Sequence, residues 1–407
     1  MKLNRLLVLF AASLGNGESI LAQPTGRQAI GLVVSTRETS SPASPLRVDP
    51  NPRLRIGARD GPDQTLFSHI VGVVRQSSGR IIIANGASGE LRVFDSLGRH
   101  LRTVGRLGGG PGEFRQLFAL FLGPADSLIA YDVVQGFQVF DPSGVYRRTI
   151  SYGRGTSTPL HLWPYGWLAG GYQLAGGLPP RGLAPGRSVD SMVFYRVNPK
   201  GEEPVELLRY PAFEFATVGG GPRLAVVFSP VIAVAVWPNR FCTGYGSEYE
   251  IRCVDLTRKT AMRLRLTIAR RSIPPSAVER YKTLVRTEPF QGSSVIPQPV
   301  RARREALLRV TTFGESQPAF AQMIASETGE LWVRSYDLDV DTPVVDELQE
   351  RSRAPTQWDV FGINGKWVAS VELPGRFRAF QIGRDYVLGV GVDDDDVERV
   401  MVLTVRR

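Results

Sequence analysis

Histidine, cysteine and lysine are scarce in this chain: there are 3 His and 2 Cys, and Lys makes only five of the 49 basic residues. His69, His100 and His161 lie far apart, and no H-E-x-x-H pair is present to bring two imidazoles onto one metal. Neither a G-x-S-x-G nucleophile turn nor a Cys/His arrangement of the thiol-hydrolase kind occurs. The sequence therefore assigns no catalytic residue, no cofactor-binding residue, no cofactor and no metal ligand. Long apolar runs are missing too. Leu6 to Leu14 is too short to cross a bilayer, and Leu224 to Trp237 holds 14 residues broken by Pro230, a length that suits buried core. No dense basic run with interleaved aromatics occurs, the longest cluster being Arg301-Ala302-Arg303-Arg304. The net charge of +10 is accordingly read as a genome's preference for arginine rather than as a nucleic-acid surface.

Turn-forming residues are abundant instead. The 43 Gly and 29 Pro, spread between short apolar runs, are too many for a helical bundle and suit a fold of many strands and turns. At 407 residues the chain exceeds an average domain, but an all-β ring can run this long as one unit. Its first 22 residues read as a signal peptide. Lys2 and Arg5 precede the apolar stretch, and Ile20-Leu21-Ala22 offers a cleavage site before Gln23. The alternative is a retained anchor. With the signal removed, no membrane span is expected, and the mature protein is placed in the periplasm, cell envelope or extracellular space. Residues 23–52 are expected to be a linker. Cys242 and Cys253 bracket a candidate hairpin, FCTGYGSEYEIRC. A turn centred between Ser247 and Glu248 puts them opposite one another, close enough for a disulfide. Two buried thiols are the other reading.

The chain repeats itself. The passages from Gly79 (GRIIIANGASGELRVFDSLGRHLRTVG) and from Asp126 (DSLIAYDVVQGFQVFDPSGVYRRTIS) share one plan. A turn leads to an apolar strand, then an alternating strand ending in Phe-Asp, a Gly turn and a further alternating strand. Phe94-Asp95 matches Phe140-Asp141, and Gly98 matches Gly144. Weaker copies follow, and each has an apolar strand upstream. The spacing predicts an all-β, six-bladed β-propeller with blades at about 69–105, 116–151, 158–210, 223–268, 318–373 and 376–407. The sixth blade lacks a last strand, which residues 53–57 can supply. Leu54-Arg55-Ile56-Gly57 stands before Gly61-Pro62 as Arg102-Thr103-Val104-Gly105 stands before Gly110-Pro111. This echo marks GGGPGEF (108–114) as a connector between blades. A phosphate loop would need Gly-Lys-Ser/Thr opening a helix.

The run VFDSLGRHLRTVGRLGGGPGEF (93–114) resembles the NHL-like six-bladed β-propellers, where a Phe/Tyr-Asp-x-x-Gly turn and this connector recur. Pro318-Ala319-Phe320, Gly329-Glu330-Leu331-Trp332-Val333, Trp358-Asp359-Val360-Phe361 and Trp367 resemble an exported bacterial propeller family of unassigned function. The resemblance implies the fold and an export context, and it carries no catalytic motif.

Between blades four and five, residues 270–315 lose the strand pattern. Ser276-Ala277-Val278-Glu279 fits a capping box with Ser276 at the N-cap, and Arg301–Arg309 reads as a second helix. The insertion is either a lid or partner surface, or a cover for a blade edge. Asp337, Asp339 and Asp341 alternate as in a calcium loop, but Thr342 and Leu348 break that pattern. Asp393–Asp396 reads as a hairpin tip. Polar residues at the ends of inner strands, His69, Arg75, Arg115, Gln116, Gln322 and Gln381, are candidates to line the central channel.

The leading expectation is an exported binding or interaction module. It would be a monomer and would hold an unknown protein or small-molecule ligand at a propeller face or channel. A metal-dependent lactonase- or lyase-type enzyme with carboxylates converging on the axis is the alternative. A glycan binder using Trp163, Tyr165 and Trp167 is a third reading.

Overall fold

The computed structural model describes residues 30–35, 46–150, 162–179, 186–198, 203–219, 221–287, 295–341 and 354–407. The expected signal peptide, His161, Thr342 and Leu348 lie outside the described residues. Among the described residues six sheets follow one another along the chain, antiparallel except for one added strand. Blade 1 comprises Ile70–Arg75, Ile81–Asn85, Glu90–Phe94 and His100–Val104; blade 2 comprises Leu117–Leu122, Leu128–Asp132, Gly136–Phe140 and Tyr146–Ile150. Blade 5 comprises Phe320–Ala325, Leu331–Ser335, Thr356–Phe361 and Trp367–Leu373.

The strand patterns follow from where each strand sits. Ile81–Asn85 is buried at every position, because both faces of a second strand are covered by adjacent blades. Hence IIIAN is a continuous apolar run, whereas the outer strand Trp367–Leu373 alternates between exposed and buried. The inner strand of blade 1 packs against that of blade 2, and Phe377–Ile382 of blade 6 packs against Ile70–Arg75 of blade 1. This contact turns a row of sheets into a ring. At Gly72 a Cβ would stand 2.9 Å from the backbone nitrogen of Leu120, so any larger residue would push blades 1 and 2 apart.

The Phe-Asp-x-x-Gly turns follow from the chemistry of aspartate. Asp95 Oδ1 accepts from the N–H groups of Leu97 and Arg99, and Asp141 Oδ1 accepts from that of Val145. Gly98 and Gly144 supply the left-handed φ, 79° and 83°, that the turn requires. Hydrogen bonds to the turn and to Arg99 hold the Asp95 carboxyl below its ordinary pKa.

The ends of the chain depart from the simple repeat. Leu54–Ile56 pairs antiparallel with Val400–Val402 of blade 6, whose other strands are Phe377–Ile382, Tyr386–Val392 and Glu398–Arg406. The expected linker also contains strand. Arg47–Val48 joins the far end of Glu398–Arg406, and Ile30–Ser35 (IGLVVS) runs parallel to Thr260–Leu266 as a fifth strand of blade 4. A β-branched run beside an open sheet edge adds to it rather than remaining loop.

Blade 3 is the irregular one. Gly186–Val197 and Val205–Thr217 are 12 and 13 residues long and project beyond their neighbours. Arg223–Ala225, placed in blade 4 by the sequence reading, pairs instead with the projecting end at Phe215–Thr217. The rest of blade 4 is Ala233–Trp237, Arg240–Gly244, Glu250–Asp255 and Thr260–Leu266. Cys242 and Cys253 face each other on its second and third strands and are bonded, with Cα atoms 3.9 Å apart.

Helices α1 (Pro275–Thr287) and α2 (Gln298–Val310) form the insertion. Helix α1 begins one residue before the expected capping box, because proline suits a first helical position. Ser276 thus lies inside the first turn, and Glu279 pairs with Lys282.

Two substitutions test this architecture. Ile56→Ala, at a closing-strand side chain only 3% exposed, should cost about 2–5 kcal/mol, whereas Leu97→Ala on an exposed turn should stay within about 0.5 kcal/mol; equal denaturation midpoints would contradict the closure. Replacing Cys242 and Cys253 together by Ser should cost about 2–3 kcal/mol, and non-reducing mass mapping should recover the linked pair.

Candidate functional site on the connector face

Antiparallel blades sort their loops. Connectors to the next blade, and turns between second and third strands, emerge on one face. Turns between first and second, or third and fourth, strands emerge on the other. The six inner-strand candidates divide accordingly. His69, Arg115 and Gln116 precede inner strands on the connector face, whereas Arg75 and Gln381 end theirs on the opposite face. Gln322 lies within its strand, where its Oε1 is 3.4 Å from Arg334 Nε. They do not converge on one site.

Most of them hold blades together. Gln381 Oε1 accepts from the Arg75 N–H at 2.7 Å while its Nε2 donates to the Arg75 carbonyl at 3.1 Å, a side-chain amide continuing backbone pairing between blades 6 and 1. The Arg75 guanidinium covers the Tyr386 ring at 4.6 Å. Around the same face Gln76 Nε2 donates to the carbonyls of Asp126 and Pro142, and Trp237 Nε1 donates to that of Ser326. This face is a belt of inter-blade ties.

The connector face is less uniform. In GGGPGEF the Glu113 carboxylate accepts from the Gly110 N–H at 2.9 Å and pairs with Arg106 at 2.7 Å. The Gly110 bond and then Arg106 lower its pKa. The loop thus satisfies its own amide with its own carboxylate, and Phe114 locks it into the core, fully buried. Gln135 Nε2 donates to the carbonyls of Gly108 and Glu113, tying the blade 2 turn to this connector.

The same two loops expose apolar side chains: Leu107 is 58%, Val133 47% and Val134 57% exposed. Phe118, 49% exposed, is the extra residue where the inner strand of blade 2 bulges between Leu117 and Ala119. It stands edge-on to Tyr131 at 6.3 Å. Sequence reasoning missed this group. Leu117–Leu122 reads as a uniform apolar run, and only the bulge turns Phe118 outward.

Across the face the insertion is built on its own apolar pad. Phe228, Tyr281 and Phe313 pack ring against ring, with Val227, Ala277 and Val285 around them. Burial pushes the Tyr281 phenol up to about 12. The helices join connectors of blades 3 and 4 to Leu338 of blade 5 and cover one side of the face, while Phe118 on another side is exposed.

All but Asp337 of the acidic runs pair with arginines. Arg334, 3% exposed, makes a two-point pair with Asp341, its Nη1 3.0 Å from Oδ2, while Asp339 pairs with Arg280 and Asp337 accepts from the Asp339 N–H. At the hairpin tip Asp393 pairs with Arg399, Asp394 and Asp396 with Arg376, and Asp395 with Arg59. Among the described residues no group of three His, Cys, Asp or Glu side chains is placed to hold a metal ion. Trp163, Tyr165 and Trp167 form no open platform. Tyr165 donates to Met192 Sδ and packs on Phe194, Trp167 stands edge-on to Phe137, and Trp163 packs in the same core as Tyr165.

A family model described as a 6-bladed beta-propeller, DUF5128, matches residues 61–152. The chain is a six-bladed β-propeller. A member of the DUF4221 family from Bacteroides vulgatus has a similar fold, with TM-score 0.51 and 8% identity over 89% of this chain and 99% of that one. A protein of Bacteroides fragilis described as a putative exported protein aligns with TM-score 0.47 and 13% identity over 92% and 99%. Virginiamycin B lyase from Staphylococcus aureus aligns with TM-score 0.40 and 10% identity over 88% and 99%. No curated protein matches the sequence. Among the described residues no helix of the propeller is long and apolar enough to cross a membrane.

The buried pair beside the insertion is testable. Arg334→Met strands the Asp341 carboxylate and should cost about 3–5 kcal/mol, most of it recovered in Arg334→Met/Asp341→Leu. Additive losses in the double variant would contradict the pairing.

Proposed function

We propose that this propeller is an exported binding module that takes its partner on the open side of the connector face. The observation that supports it is the grouping of Leu107, Phe118, Val133 and Val134, all exposed, on one strand end and two loops tied by Gln135. Exposed apolar side chains scattered singly are ordinary; several on adjoining loops of a rigid scaffold mark a contact surface. The partner is one with an apolar face, protein or small molecule. The N-terminal signal pattern and the disulfide both support export. The metal-enzyme alternative needs carboxylates free to converge on the axis, and the two acidic runs instead hold arginines.

A photo-crosslinking residue at position 134, compared with one at position 363 on the opposite face, tests this reading in the export compartment. Adducts should form at 134 and not at 363, and Phe118→Asp should reduce them by about tenfold or more. Equal labelling at both positions, or adducts indifferent to Phe118→Asp, would overturn it.

A further inference from the structure

The seam between blades 3 and 4 carries a second, independent feature. On the blade 4 face turned towards blade 3, Thr243, Arg252 and Arg263 stand directly opposite one another on successive strands. Two arginines in direct cross-strand register repel, and like pairs at such positions are destabilising. The next row holds Glu250 opposite Arg265. Glu250 is claimed by Arg265 at 2.6 Å and lies 3.2 Å from Arg263 Nε without a hydrogen bond to that atom. Among the described residues Glu250 is shared by Arg263 and Arg265 and no carboxylate pairs with Arg252, so three guanidinium groups stand against one carboxylate.

The buried polar atoms here are unsatisfied. Thr243 is wholly buried, and its Oγ1 meets no partner among the described residues. The Nε atoms of Arg252 and Arg263 are likewise buried without a hydrogen bond. A buried donor left unmade costs about 1–3 kcal/mol, so Thr243 Oγ1 and Arg252 Nε, in register on adjacent strands beside Arg263, call for an acceptor. Tyr210 reaches the same place from the outer strand of blade 3. Burial raises its phenol pKa, with Glu250 adding to the shift and Arg252 and Arg263 opposing it. The notch opens to solvent, since the Arg263 and Arg265 side chains are 38% and 48% exposed.

We infer that this notch binds a doubly charged oxyanion of the phosphate type, held by Arg252 and Arg263 with the Thr243 hydroxyl donating from below. A dianion matches the residual charge, and its several acceptor oxygens match a guanidinium pair and a hydroxyl converging from adjacent strands. The anion also removes the cross-strand repulsion, so binding and blade 4 stability are coupled.

The test uses the mature protein and inorganic phosphate, titrated calorimetrically and by thermal denaturation against chloride at matched ionic strength. Phosphate should bind and raise the melting temperature. Arg252→Gln should weaken binding roughly tenfold or more, whereas Arg99→Gln, on an exposed turn of blade 1, should leave it unchanged. If Arg252→Gln fails to fold, Thr243→Val is the second variant, and it should weaken binding without altering the far-ultraviolet circular dichroism spectrum. Glycerol 3-phosphate in place of phosphate separates the sources: equal or tighter binding assigns the site to a phosphate monoester, and weaker binding assigns it to the free ion. No effect beyond chloride, or an undiminished effect in Arg252→Gln and Thr243→Val, would overturn the site.

Discussion

Burial on both faces governs this molecule. A blade such as Ile81–Asn85 with its neighbours has no solvent side to its central strands, so it is stable only between two other blades. Phe94 of blade 1 packs with Tyr386, Leu388 and Val400 of blade 6, while Leu91 and Val93 of the same strand pack with Phe114 and Leu117 towards blade 2. One strand thus serves two cores, and the alternation of its side chains divides them. Every blade is a shared wall, and loss of any one leaves two apolar surfaces open.

That constraint separates support from function. The face bearing the first-to-second-strand turns is occupied by ties such as Gln381 to the Arg75 backbone and Trp237 to Ser326. The connector face has greater freedom, because a connector has only to reach the next inner strand. It can be short and self-satisfied, as at Glu113, or expand into the helix pair over Phe228 and Phe313. Variation concentrated on one face of a rigid ring is how a scaffold acquires a partner surface without cost to its core.

The repeat was legible where its turn chemistry is strict. Asp95 and Gly98, Asp141 and Gly144, and the echo between Gly57 and Gly105 depend on local hydrogen bonds and left-handed φ values, which short motifs encode. Blade 3 was harder, because its third and fourth strands outgrow the unit and capture Arg223–Ala225 by an edge pairing that no local pattern encodes. Ile30–Ser35 was hidden for the same reason: its partner, Thr260–Leu266, is remote in sequence. The connector-face group was illegible because a bulge, not composition, decides which way Phe118 points. The polar notch required knowing that Arg252 and Arg263 share a register.

The pairing of Leu54–Ile56 with Val400–Val402 has a temporal side. The first of these strands is synthesised before blades 1 to 5 and its partner after them, so the ring stays open while those blades are made. Closing so large a loop carries an entropic cost that no local contact repays in advance. Until then the inner strands of blades 1 and 6 each present an uncovered apolar face. The vulnerable species of this protein is therefore the unclosed ring.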